Sequence, residues 1–69
     1  MKLLELLGMV PDNTIILVFH AINGVKYSIE MTAGEMLADN NFLDVVQADR
    51  LIVMTIRALK RNKLRVECI

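Results

Sequence analysis

With a single cysteine, Cys68, the chain cannot close an internal disulfide, and with His20 as its only histidine it cannot assemble the three or four ligands of a zinc site. Tryptophan is absent. The remaining aromatics, Phe19, Tyr27 and Phe42, are too few and too far apart to alternate with cations in a stacking platform for single-stranded nucleic acid. Charge of one sign is missing as well: eight acidic residues balance eight basic ones, which argues against nucleic acid as a partner of the whole molecule. No apolar run is longer than Ile15 to Phe19, far short of the ~20 residues of a membrane-spanning helix. The three glycines are scattered and each has a turn or helix-end explanation, so no phosphate-cradling loop is present. Glu35, Asp39, Asp44 and Asp49 lack the spacing of a calcium loop. The expectation is a protein without catalytic residues, metal or cofactor.

What is abundant is apolar side chain, 55% of the 69 residues. A domain this short buries only about 60% of the surface its unfolded chain exposes, so residues 1–69 are expected to form one marginal domain. Disulfides and metals being excluded, oligomerisation is the support that remains. The leucine-rich start, Leu3, Leu4, Leu6 and Leu7, is interrupted by Glu5 and followed by no small-residue cleavage site. It is expected to be an amphipathic helix of a cytoplasmic protein, with Gly8 supplying φ > 0 at its end.

Pro11-Asp12-Asn13 then form a turn, and Thr14 to Ile22 is almost wholly apolar and β-branched, as in a buried strand. Asn23-Gly24 suits a two-residue turn in which both residues take φ > 0, so Val25 to Met31 returns as the second strand of a hairpin. Thr32-Ala33-Gly34-Glu35 has the spacing of a capping box, which starts a second helix of about two turns ending near Asn40-Asn41, with Phe42 and Leu43 tucked under the sheet. Leu51 to Ala58 and Leu64 to Ile69 read as a second hairpin about Lys60-Arg61-Asn62. The fold class is α+β, in the order αββαββ: a four-stranded antiparallel sheet of two hairpins with two short helices.

A two-residue turn sets Ile22 opposite Val25, His20 opposite Tyr27, Val18 opposite Ile29 and Ile16 opposite Met31, all on one face. In the second hairpin, setting Ala58 opposite Leu64 and Ile56 opposite Val66 keeps the apolar sets together and demands an odd-length turn region. The other side of the sheet then displays Ile15, Leu17, Phe19, Leu51 and Val53, fringed by Lys26, Glu30, Arg57, Arg65 and Glu67. A rimmed apolar patch of this kind marks an interaction face, and a two-fold dimer packed sheet on sheet is expected. Cover by the N-terminal helix is the alternative.

His20, opposite Tyr27, reads as half of a hydrogen-bonded structural pair. Cys68, near the far end of the last strand, is too remote and too buried to be its nucleophilic partner. Five of the eight basic residues, Arg57, Lys60, Arg61, Lys63 and Arg65, fall within the last thirteen positions. Such a cluster can bind phosphates or an acidic protein, and it can equally guard a strand edge against aggregation.

The layout of a leucine helix ending near Pro11-Asp12, a hairpin, the helix opening Thr32-Ala33-Gly34-Glu35-Met36-Leu37 and a closing hairpin resembles the small orphan accessory proteins of phages and prophages of Gram-positive bacteria. The resemblance lies in layout and composition and transfers no functional residue. It implies a protein made in the host cytoplasm to bind and disable, or redirect, a host factor, in some cases a defence system. Two other readings stand beside an inhibitor that binds a host or viral protein through the outer face or the basic hairpin: an oligomeric sponge holding an anionic nucleotide signal on Arg57 and Arg65, and a small nucleic-acid-binding regulator using the basic turn.

Overall fold

The computed structural model describes residues 1–22, 24–41 and 50–69. The expectations for Asn23, Phe42, Leu43, Asp44 and Asp49 lie outside them. The chain runs α1 (Leu3–Met9), β1 (Ile15–Ile22), β2 (Val25–Thr32), α2 (Ala33–Ala38), β3 (Val53–Lys60) and β4 (Lys63–Cys68). Both helices lie on one face of a four-stranded sheet.

α1 forms because Leu3, Leu6 and Leu7 share a face and are 0%, 5% and 0% exposed, while Leu4 points outward. The Glu5 carboxylate accepts from the Lys2 backbone N–H at 3.2 Å, relieving one free donor at the helix start. Gly8 does not end the helix with φ > 0, as expected from sequence; it lies within the last turn and the chain leaves through extended Val10. The capping box of α2 is present as read: the Thr32 hydroxyl accepts from the Glu35 N–H at 3.1 Å, and the Glu35 carboxylate accepts from the Thr32 N–H at 3.2 Å. Gly34, a weak helix former, is explained by crowding. A Cβ there would stand 3.0 Å from the Asp12 Cβ and 3.2 Å from the Asp12 carbonyl oxygen, which accepts the Gly34 N–H at 2.9 Å.

The first hairpin has the expected register throughout, from Ile22 opposite Val25 to Ile15 opposite Thr32, with Gly24 at φ +80°. The second also pairs Ala58 with Leu64 and Ile56 with Val66. Its surplus residue is absorbed by a register shift at Leu59, which lets a two-residue turn at Arg61-Asn62 close the hairpin.

The sheet as a whole departs from expectation: it is mixed rather than antiparallel. Strand order is β2-β1-β4-β3, and β1 runs parallel to β4 with Ile16 opposite Leu64 and Val18 opposite Val66. The composition of β1 accounts for its place, since only an interior strand can bury apolar residues on both of its sides. The Pro11–Asn13 turn ties this arrangement together. Asn62 donates its side-chain N–H to the Asn13 carbonyl at 2.7 Å and accepts the Ile15 N–H on its own carbonyl at 2.9 Å, docking the β3–β4 turn on the entrance to β1. The core under the helices is Leu3, Leu6, Leu7, Ala33 and Met36 against Ile16, Val18, Val66 and Cys68.

Candidate functional site

The outer face of the sheet, with no helix over it among the described residues, is where the sequence placed its interaction patch. Ile15, Leu17 and Phe19 of β1 do share this face, at the middle of the sheet, and are half-buried. Leu51 and Val53 do not belong to it. A register shift at Met54 turns Val53 to the side of its partner Cys68, and both Leu51 and Val53 pack against the core. The alternation on which the wider patch depended is broken by that one extra residue. The N-terminal helix does not cover this face either, because its leucines are committed to the opposite one.

Charged side chains roof what remains of the apolar stripe. Lys63 stands beside Ile15 and Glu30 beside Leu17, on opposite flanks of β1, and their ion pair crosses over the strand. The Arg65 guanidinium lies 4.4 Å from the centre of the Phe19 ring, and its Nε is 3.7 Å from the Glu67 carboxylate, an ion pair too long to be a hydrogen bond. The aliphatic stems of these residues shield apolar surface, and the Arg65 Nε is itself buried with no hydrogen-bond partner among the described residues. Each such contact contributes no more than about 1 kcal/mol at an exposed site.

Beside this roof the structure concentrates positive charge. Arg57 lies directly opposite Arg65, and Lys60 directly opposite Lys63, so two like-charged cross-strand pairs follow one another along the same hairpin. Arg61 sits in the turn. Lys63 and Arg65 each have an acidic neighbour, whereas Arg57, Lys60 and Arg61 are exposed and form no ion pair among the described residues. Like charges directly opposite one another disfavour the pairing of their strands. All five basic residues singled out in the sequence thus come together on one hairpin; the register read from sequence already sets Arg57 opposite Arg65, whereas the Lys60–Lys63 opposition depends on the register shift at Leu59.

At the other end of the sheet His20 and Tyr27 are paired as expected but not hydrogen-bonded. Their rings stack at 5.6 Å with 23° between planes, and both imidazole nitrogens are buried without a hydrogen-bond partner among the described residues. The parallel pairing of β1 and β4, continued one step beyond Phe19 and Glu67, brings Cys68 next to His20 on the core face. Sequence distance had suggested that they were remote. Burial pushes the Cys68 thiol up from 9.0 to about 11, the reverse of what an activated nucleophile needs. A hollow of about 250 Å³ near this corner is lined in part by Tyr27, Met54, Arg65 and Ile69. No group of three or more His, Cys, Asp or Glu side chains that could hold a metal occurs among the described residues. No helix among them is long and apolar enough to cross a membrane.

No family model, no curated protein and no solved structure matches this chain.

Proposed function

We propose that this is a non-enzymatic binding protein that sets the outer face of its sheet against an acidic surface of another protein, blocking or redirecting that partner by occupancy alone. The carrying observation is the pair of like-charged oppositions, Arg57 with Arg65 and Lys60 with Lys63, on a face that neither α1 nor α2 covers. Cations set opposite one another work against folding and are relieved when carboxylates arrive between them, so local instability is converted into affinity. Ile15, Leu17 and Phe19 supply the apolar centre of the contact once the charged stems swing aside. The resemblance to phage accessory proteins suggests a host or viral protein as the partner.

The face suits a protein better than a small molecule. Drug-sized ligands occupy concavities of about 300–1,000 Å³. The hollow that Arg65 borders is about 250 Å³, and Arg57, Lys60 and Arg61 do not line it. An anionic nucleotide held by Arg57 and Arg65 is the second reading, favoured by the closeness of the two guanidinium-bearing positions. Quantitative affinity capture from host lysate, run with wild type, Arg57→Glu/Lys60→Glu and Lys2→Glu chains, tests the first. One stoichiometric protein should be retained by wild type and Lys2→Glu and released by the double reversal. Equal retention by all three refutes the assignment, and a small anion carried into native mass spectrometry selects the second reading.

A further inference from the structure

The two outer strands of the sheet are built differently at their edges. β3 has register shifts at Met54 and Leu59. Its approach is also occupied: the Val53 N–H donates to the Met1 carbonyl, the Leu3 N–H donates to the Leu51 carbonyl, and Lys2 bridges to Ile52. Such irregularities and covers keep a strand from pairing with another molecule. Among the described residues β2 has none of them. Its eight residues pair with β1 in unbroken register, it contains no proline, and Val25 and Tyr27 on its helix-side face are 53% and 47% exposed.

The order of residues along β2 is also complementary to itself. Laid antiparallel against a second copy with Ser28 opposite Ser28, the strand sets Lys26 opposite Glu30 of the other copy, Tyr27 opposite its Ile29 and Val25 opposite its Met31, each match occurring twice. Charge meets opposite charge on the outer face. Apolar meets apolar on the helix side, where exposed Tyr27 and Val25 gain cover and the core layers of the two copies join. Only the Ser28 register gives the charge match: a two-fold at Tyr27 sets Lys26 against Ser28, and one at Ile29 sets it against Thr32. We propose that two copies of this chain pair edge to edge through β2, about a two-fold axis normal to the sheet at Ser28.

The resulting sheet has the order β3-β4-β1-β2-β2-β1-β4-β3, with α1 and α2 of both copies on one side and both cationic hairpins at the outer ends of the other. Packing the outer faces of two copies on each other, as the sequence alone suggests, would press together two sets of Arg57, Lys60, Lys63 and Arg65. The edge pairing separates them. It also adds the apolar burial that a domain of 69 residues lacks.

Sedimentation velocity across a concentration series tests the association, with cysteine scanning to fix the register. Wild type should sediment as two copies of the 7.8 kDa chain. Lys26→Glu alone, and Glu30→Lys alone, should each weaken the dimer roughly tenfold or more, by setting like charges opposite in both symmetric pairs. Mixed in equal amounts the two variants should recover it, because the mixed pair again matches opposite charges. Ser28→Cys should form an intermolecular disulfide under mild oxidation, since directly opposed Cα atoms at about 4.5–5.5 Å fall within disulfide range. Lys26→Cys should not, as its own symmetry mate is about four residues along the strand. A 7.8 kDa species up to millimolar concentration overturns the proposal, as does equal cross-linking at the two positions or failure of the mixed variants to recover the dimer.

Discussion

Replacing Arg57 by Gln should make the protein more stable while making it bind its partner less well. Arg57 faces Arg65 across an antiparallel pair, where Cα atoms stand about 5 Å apart. Two unit charges at that separation repel by about 0.8 kcal/mol in the dielectric of water. The head groups can splay and Arg65 already leans on Phe19 and Glu67, so relief of about 0.2–0.8 kcal/mol is expected. For a domain of this size that raises the melting temperature by roughly 1 to 6 °C. Glutamine keeps much of the aliphatic stem, which separates the charge effect from packing. The assay is thermal unfolding by circular dichroism at low and high salt, since the screening length shrinks from about 30 Å at 0.01 M to about 3 Å at 1 M. The gain should be present at low salt and vanish at high salt. An Arg57→Gln chain less stable than wild type at low salt, or a gain that persists in 1 M salt, would refute the reasoning.

Thr32→Val, which keeps the shape of the side chain and removes the hydroxyl that accepts the Glu35 N–H, should cost about 1 kcal/mol in urea unfolding. Gly34→Ala should yield none of the ~1 kcal/mol that this change gives in an open helix, because the new methyl meets Asp12 at 3.0 Å, and the same denaturation series checks it. Met36→Ala, at a side chain with no exposed surface, should cost about 2–5 kcal/mol by the same measurement. With its thiol held at about 11 rather than 9.0, Cys68 should react with a thiol reagent at pH 8 roughly a hundredfold more slowly in the folded than in the unfolded chain. The thiol is neutral in both states below about pH 9. Above that the unfolded chain releases the proton first, so this group's contribution to stability falls by roughly 2–3 kcal/mol between pH 9 and 11, a fall that Cys68→Ala should lack.

Much of the local architecture was legible in the residues. The two-residue Asn23-Gly24 connection left one register for the first hairpin, and matching apolar sets selected the register of the second. Thr32 and Glu35 announced the start of α2. The candidate site was legible only in part. Ile15, Leu17 and Phe19 face outward because strict alternation holds along β1, whereas Leu51 and Val53 turn inward because alternation fails at Met54. A bulge leaves little trace in composition, since the residue it displaces is as apolar as its neighbours. Gly8 misled for a related reason: glycine is permitted at a helix end but does not impose one.

The sequence by itself determined the α+β class, the register of the first hairpin, the central pairs of the second and the capped start of the second helix, because each depends on residues a few positions apart whose geometry is restricted by turn, pairing and capping chemistry. Tertiary structure alone decided that β1 and β4 lie side by side in parallel, and from this follow the Lys63–Glu30 bridge over β1, the seat of Arg65 on Phe19 and the adjacency of His20 and Cys68. Pairing of segments almost fifty residues apart is chosen by how the whole apolar surface is best enclosed, and no short stretch of chain carries that information.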